Sequence, residues 1–258
     1  MSTTEQIISN AKFAKNAVVE LEPKLVYGKR LWEYFHLRPT AEGITIISNH
    51  PRYAMSEAEA TAEDLKDRLL ALENDVLPLL TAEEPSHRLG EVVEGFGFRR
   101  SARDLEEAGQ ARQREVHIQA SFISGMIRGG AEYGGVHFLA SELCLPDEGH
   151  PRPFEVVGYR DGTVYVFATK KGRDAAIYEQ MAGFRELFEA RRGEFEKLLS
   201  AYPRTACRDN VTVHGLRCVA VMKYAAETGT DWQALSAKYG VDTWFHETSL
   251  SFRKLNAR

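Results

Sequence analysis

The chain has 258 residues, of which 43% are hydrophobic, 27% charged and 10% aromatic. This composition is typical of globular proteins and excludes collagen, coiled coil and a wholly disordered chain. No apolar run is long enough to span a bilayer, and the first residues lack the basic and apolar regions of a secretory signal. Three cysteines without a CxxC spacing argue against a structural zinc site, and we expect a reduced, cytoplasmic environment.

The net charge of −4 is unevenly distributed along the chain. Residues 54–94 contain eleven acidic and three basic residues, a net charge of −8. Residues 203–258 contain eight basic and five acidic residues, a net charge of +3. This asymmetry permits contact with nucleic acid without requiring it, and solvated helix faces explain it equally well.

The first 113 residues are predicted to be mainly helical. Apolar residues recur at helical spacing over residues 4–21. Ser56 and Glu59 have the spacing of a capping box, which predicts a helix that continues to Val76. The short β-branched segment 44–47 is typical of a strand.

Residues 114–225 are predicted to form an α/β core. Asp161-Gly162 is a strong hairpin signal between two strands. A strand reached through a helical crossover often lies parallel to its neighbour in the sheet. The predicted fold class is therefore α/β (α+β), a mixed central sheet with helices on its faces, a helical N-terminal region and a helical C-terminal tail. In chain order, the predicted core elements are strands 136–145, 154–159 and 163–169, a long helix 174–202 and a strand 216–222.

Residues 226–258 are predicted to form a C-terminal helical segment. Asp231 can cap a helix, and Gly240 lies where a turn would lead into a second helix, as in a helix-turn-helix. Arg253 and Lys254 could then meet phosphates. The alternative is a pair of helices that packs on the core without contacting DNA.

The hairpin between the second and third core strands carries residues suited to chemistry. Glu155 lies in its first strand and Lys170 ends its second, so a carboxylate and an ammonium can meet at one end of the sheet. Alternation places Ala168 and Lys170 on one face of their strand. Carboxylate oxygens bind hard divalent cations, and a metal site beside a lysine is suited to phosphodiester hydrolysis. An ordinary surface hairpin that happens to carry Glu and Lys is the alternative.

With these residues, the segment 135–222 resembles the PD-(D/E)xK nuclease superfamily. That family has an acidic residue on the second core strand and (Asp/Glu)-x-Lys on the third, followed by a helix and another strand. The resemblance implies that Glu155 is a catalytic metal ligand and Lys170 the catalytic lysine. It also matches Gln180 to a glutamine that some members place in the following helix.

The resemblance further implies a cofactor and partners. Mg²⁺ is the expected cofactor, and Glu142, or else Glu115, is the expected second carboxylate. Double-stranded DNA is the expected partner, and a homodimer would suit cleavage of both strands. The expected function is a metal-dependent DNA endonuclease of restriction or defence type; the alternative is a non-enzymatic DNA- or protein-binding regulator that uses the C-terminal helices. The expected nucleic-acid-binding residues are Lys171, Arg173, Arg253 and Lys254.

Ala168 departs from the family pattern, because the residue two positions before the lysine is acidic in the family. Three explanations stay open: the acidic group lies elsewhere in the fold, the chain is an inactive relative, or an acidic residue was deliberately changed to alanine. Ala168 is then expected to line the same cleft as Glu155 and Lys170, and Ala168→Glu to produce Mg²⁺-dependent cleavage.

Overall fold

The structure is a computed structural model that describes residues 2–50, 54–82, 88–99, 110–129, 133–143, 153–170, 175–203, 211–223, 230–248 and 251–254. It has an α/β fold with a three-stranded sheet near the N-terminus and a six-stranded mixed sheet after it, both covered by helices. The predicted α/β class with a mixed central sheet is confirmed. Within the described residues, no helix combines the length and apolar character needed to cross a membrane.

The N-terminal region contains an antiparallel sheet of order β1-β2-β3 among its helices. The predicted first helix is confirmed, and a capping box between Ser2 and Glu5 starts it. A π-helical segment, Leu72–Val76, connects the helix Leu65–Ala71 directly to the helix Leu77–Thr81. The elements are α1 (Thr3–Leu21), α2 (Gly28–Tyr34), β1 (Phe35–Pro39), β2 (Ile44–Ser48), β3 (Glu57–Ala60), α3 (Leu65–Ala71), α4 (Leu77–Thr81) and α5 (Leu89–Gly95).

The prediction that Ser56 and Glu59 open a helix is wrong, because Glu57–Ala60 forms β3. Burial alternates along this strand, which pairs with β2. The reciprocal contacts lie five residues later: Thr61 N–H donates to Asp64 Oδ1 over 2.7 Å, and Asp64 N–H donates to Thr61 Oγ1 over 3.2 Å. Two neighbouring capping patterns thus compete, and pairing with β2 selects the second.

The six-stranded sheet has the order β4-β5-β6-β7-β8-β9. Strand β5 pairs antiparallel with both β4 and β6, strands β6, β7 and β8 are parallel, and β9 returns antiparallel to β8. Asp161 and Gly162 both have positive φ angles, as expected of the tight turn between β5 and β6. The elements are α6 (Gln110–Arg128), β4 (His137–Leu143), β5 (Phe154–Arg160), β6 (Thr163–Thr169), α7 (Ala176–Ala190), α8 (Arg192–Ala201), β7 (Gly215–Lys223), α9 (Trp232–Tyr239), β8 (Asp242–Thr248) and β9 (Ser251–Lys254).

Each face of the six-stranded sheet buries its own apolar core. The α7–α8 core contains Val164, Val166 and Ala168 of β6 together with apolar residues of α7 and α8. The α6 core contains Tyr165 and Phe167 of the same strand together with residues of α6. Helix α1 contributes to the first core and β2 to the second, so the N-terminal region packs against both faces.

Two predictions about helices need correction. The long helix 174–202 is two helices, separated at Arg191, whose φ of −124° and ψ of 27° interrupt the helical path. The C-terminal helix-turn-helix is wrong: after α9, Gly240 adopts the left-handed conformation and the chain enters strand β8. Strands β8 and β9 extend the central sheet, so the C-terminal segment is part of the core fold rather than a helical tail.

His36 of β1 links the two sheets through a buried hydrogen-bond network. Its Nδ1 lies 2.8 Å from Asn49 Oδ1, and its Nε2 lies 2.5 Å from Ser141 Oγ in β4. Both contacts are satisfied when Nδ1–H donates to Asn49 and Nε2 accepts from Ser141, which requires the neutral ring. Burial lowers the pKa of His36 to about 3.

We expect this histidine to make the protein sensitive to mild acid. The unfolded chain binds a proton at His36 below about pH 6.5, whereas the folded chain does so only near pH 3. Folding stability should therefore fall as the pH drops through this window, by about 2 kcal/mol between pH 7 and pH 5. Urea unfolding at several pH values measures the slope. His36→Gln should flatten it; an equal slope in the variant would contradict this assignment.

Candidate active site

Glu155 and Lys170 meet at one end of the central sheet. Glu155 is the second residue of β5, and Lys170 follows the last residue of β6. The paired ladder between these strands begins at Val156 and Phe167, so both charged residues lie just beyond it. Lys170 Nζ is 3.7 Å from Glu155 Oε1, and the two side chains retain 22% and 16% of their exposure. The predicted approach of this carboxylate and this ammonium is present in the structure.

Thr169 holds the carboxylate of Glu155 in place. Its backbone N–H donates to Glu155 Oε2 over 2.7 Å, and its hydroxyl lies 3.2 Å from the same oxygen. The Glu155 carboxylate thus accepts a hydrogen bond from a backbone N–H that lies beyond the last paired residues of β5 and β6. One carboxylate oxygen is fixed by Thr169, and the other is directed to Lys170.

Glu142 brings a second carboxylate to this end of the sheet. It lies in β4, and Gln119 of α6 donates to its Oε1 over 3.1 Å. The same amide donates to the backbone carbonyl of Glu155, also over 3.1 Å. Glu142 has a φ of 49°, a left-handed conformation that is uncommon for a residue with a side chain. Such strain is found preferentially at functional sites.

The backbone of Lys170 is fixed by the two neighbouring parallel strands. Its N–H donates to the carbonyl of Val221 in β7 over 2.8 Å. Its carbonyl oxygen lies 3.2 Å from Nε2 of His246 in β8, a histidine that is only 5% exposed. The base of the lysine side chain is therefore anchored although Lys170 lies outside regular β-structure.

The electrostatics of the site favour a bound cation. Burial raises the pKa of the Glu155 carboxyl above its ordinary value, and the charge of Glu142 raises it further. Lys170 and the hydrogen bonds from Thr169 act in the opposite direction. Among the described residues, two carboxylates and one ammonium meet in this partly buried site, and a divalent cation would offset the charge of the carboxylates.

The prediction that Ala168 lines this cleft is wrong. Ala168 is fully buried and belongs to the α7–α8 core with Val164 and Val166. The alternation of β6 places these three residues on one face, but the strand ends at Thr169. Lys170 lies beyond that end, so alternation no longer determines its direction.

The remaining predicted site residues lie in α7, in α6, in β9 or outside the described residues. Gln180 is partly exposed in the first half of α7, where its neighbours Ile177 and Met181 enter the α7–α8 core. Glu115 lies in α6 at a position where only the backbone is described. Lys171 and Arg173 fall outside the described residues, and Arg253 and Lys254 are described only as backbone of β9.

The sequence did not single out two residues of the site, Gln119 and Thr169. Gln119 lies in a segment, 116–119, whose sequence fits a helix end or a strand start equally well; it is part of α6. Thr169 looks like an ordinary β-branched strand residue. Their roles come from tertiary contacts that no short spacing encodes.

The two carboxylates of the site are ligands of the type that Mg²⁺ takes from proteins. Among the described residues, no group of three or more His, Cys, Asp or Glu side chains is arranged to hold a metal ion. Glu142 and Glu155 supply two carboxylates and no softer ligand. Mg²⁺ usually retains several waters and takes one or two protein carboxylates, with substrate phosphates as further ligands.

Comparisons with known proteins leave the family open. No family model, no curated protein and no solved structure matches the chain. What the site does must therefore be inferred from its own residues.

Proposed function

We propose that the chain is a metal-dependent phosphodiester hydrolase that cleaves nucleic acid, with double-stranded DNA as substrate. The observation that carries this proposal is the 3.7 Å contact between Lys170 Nζ and Glu155 Oε1, beside a second carboxylate, Glu142. The order of three antiparallel strands, two helices and a parallel strand supports the proposed relationship to the PD-(D/E)xK nucleases.

Glu142 and Glu155 would hold the metal ion. When bound, Mg²⁺ would offset the negative charge of a phosphodiester and favour ionisation of a water molecule. Glu155 is suited to this role because Thr169 fixes one carboxylate oxygen while the other remains near Lys170. Burial raises the pKa of Glu155, so a cation would favour its ionised form.

Lys170 would orient the attacking water and balance the charge that develops on the phosphate. Its ammonium is partly exposed, and its backbone is anchored by Val221 and His246. An ammonium in this setting provides a charged donor at a fixed place, which is the requirement for stabilising a charged transition state.

The burial of Ala168 bears on how tightly the metal would be held. Because Ala168 lies in the α7–α8 core, position 168 does not supply the third carboxylate of the family pattern, and the described residues bring two carboxylates to the site. Cation affinity follows the number of charged ligands, so we expect weak metal binding and a need for high Mg²⁺ or Mn²⁺ concentrations.

We expect Glu155→Gln to lower the rate of DNA cleavage by at least about a hundredfold, since it removes one of two charged ligands while retaining size. Cleavage of supercoiled plasmid and of a duplex oligonucleotide, with Mg²⁺, with Mn²⁺ and with chelator, measures this rate. Glu59→Gln changes an exposed carboxylate on β3 and should cleave like the wild type. Intact DNA with the wild-type chain under every metal condition would reject the proposal.

The alternative function, a non-enzymatic regulator that binds DNA or protein through its C-terminal helices, has lost its structural basis. Its basis was a second helix after Gly240, and strand β8 occupies that place.

A further inference from the structure

Gln119 is a buried amide between α6 and the ends of β4 and β5. The residue is 4% exposed, and its helix neighbours Ala120, Phe122 and Ile123 belong to the apolar α6 core. A buried amide costs free energy unless its polar atoms are paired, so an apolar residue would be the default at such a position. The amide must therefore be offset by specific contacts.

The amide nitrogen of Gln119 donates to two acceptors, and each acceptor belongs to a different candidate metal ligand. The acceptors are Glu142 Oε1 and the carbonyl oxygen of Glu155, each 3.1 Å from the nitrogen. Because the two bonds share one nitrogen, these acceptor oxygens lie no more than 6.2 Å apart. The contacts fix the side chain of one glutamate relative to the backbone of the other.

The backbone conformation of Glu142 points to a residue that its surroundings hold in place. Its left-handed φ of 49° is unfavourable for a residue with a Cβ, and it persists only where the surroundings impose it. Gln119 provides a carboxylate contact from outside the strand pair. A contact that orients a ligand without itself binding the metal typically changes metal affinity strongly when removed.

We propose that Gln119 is a positioning residue that holds Glu142 and Glu155 as a preformed pair of carboxylates for a divalent cation. This inference rests on the proposed function, because it assigns the pair to metal binding. It adds that the helix α6, and not only the hairpin, determines the geometry of the site. Gln119 itself donates through nitrogen and is not assigned as a ligand.

The test measures Mn²⁺ binding by the whole 258-residue chain directly, with MnCl₂ as the only added probe. Gln119→Met removes both donors while keeping a side chain of similar length, and we expect it to raise the Mn²⁺ Kd by about ten- to hundredfold. Gln119→Asn retains both N–H groups on a shorter chain and should also raise the Kd, which covers the case that the methionine variant does not fold. Titration calorimetry, or the electron paramagnetic resonance signal of free Mn²⁺, gives the Kd without reference to activity.

A control separates positioning from general loss of stability. Thr243→Val removes another buried hydrogen bond, to the hydroxyl of Tyr178 in the α7–α8 core, and should leave the Mn²⁺ Kd unchanged. If the wild type binds Mn²⁺ through Glu155 but folded Gln119 variants bind it equally well, this inference is overturned and the proposed function stands. If the wild type binds no Mn²⁺, or if Glu155→Gln binds Mn²⁺ as well as the wild type does, this inference and the proposed function fail together.

Discussion

Replacing Ala168 with glutamate is expected to destabilise the protein by about 3–5 kcal/mol, because it places an unpaired carboxyl group in an apolar core. Ala168 is fully buried among Val164, Val166 and the apolar faces of α7 and α8. The new carboxyl would have to stay protonated or force the core apart. Urea unfolding at neutral pH measures the loss of free energy.

Ala168→Ser is the matched control, since it adds one hydroxyl and little volume and should cost far less than glutamate. Suppose instead that Ala168→Glu unfolds at the same urea concentration as the wild type. The side chain at 168 would then reach solvent near Glu155, and Mg²⁺-dependent cleavage by that variant would restore the explanation that an acidic ligand is missing from this position.

Removing the ammonium of Lys170 is expected to lower the single-turnover cleavage rate by about 10²–10³-fold, the range seen when one donor that stabilises transition-state charge is lost. Lys170→Met keeps the length of the side chain without its charge. The same variant should bind Mn²⁺ more tightly than the wild type, because a positive charge 3.7 Å from a ligand oxygen opposes a second cation.

Opposite effects on rate and on affinity distinguish a catalytic lysine from a structural one. If Lys170 were needed only for folding, replacing it would lower the melting temperature, the cleavage rate and the Mn²⁺ affinity together. Lys170→Arg retains the charge and should keep more activity than the methionine variant. An unchanged cleavage rate in Lys170→Met would remove this residue from the proposed mechanism.

The hairpin that carries the site could be predicted from sequence because its signals are local. Alternating apolar residues and the Asp161-Gly162 turn specify β5 and β6, and Glu155 and Lys170 follow from their positions at the hairpin's open end. The direction of Lys170 could not be predicted by alternation, because β6 ends one residue earlier. The same local reasoning therefore predicted the contact between Glu155 and Lys170 correctly and placed Ala168 incorrectly.

Other elements depended on contacts distant in sequence. Phe188 and Phe195 both enter the α7–α8 core, so their spacing does not reveal the break at Arg191 between two helices. The segment after Gly240 becomes a strand because β7 offers it a parallel partner. Gln119 joins the site only through its contacts with two strands that follow it in the chain.

The position of a bound cation tests the two-carboxylate site most directly. Crystals grown or soaked with millimolar MnCl₂ can locate manganese by its anomalous scattering. We predict one peak near both Glu142 and Glu155, at roughly 2.0–2.6 Å from their nearest carboxylate oxygens, that is lost in Glu155→Gln. Manganese bound elsewhere, or the same peak in the Glu155→Gln variant, would contradict the assignment of this site.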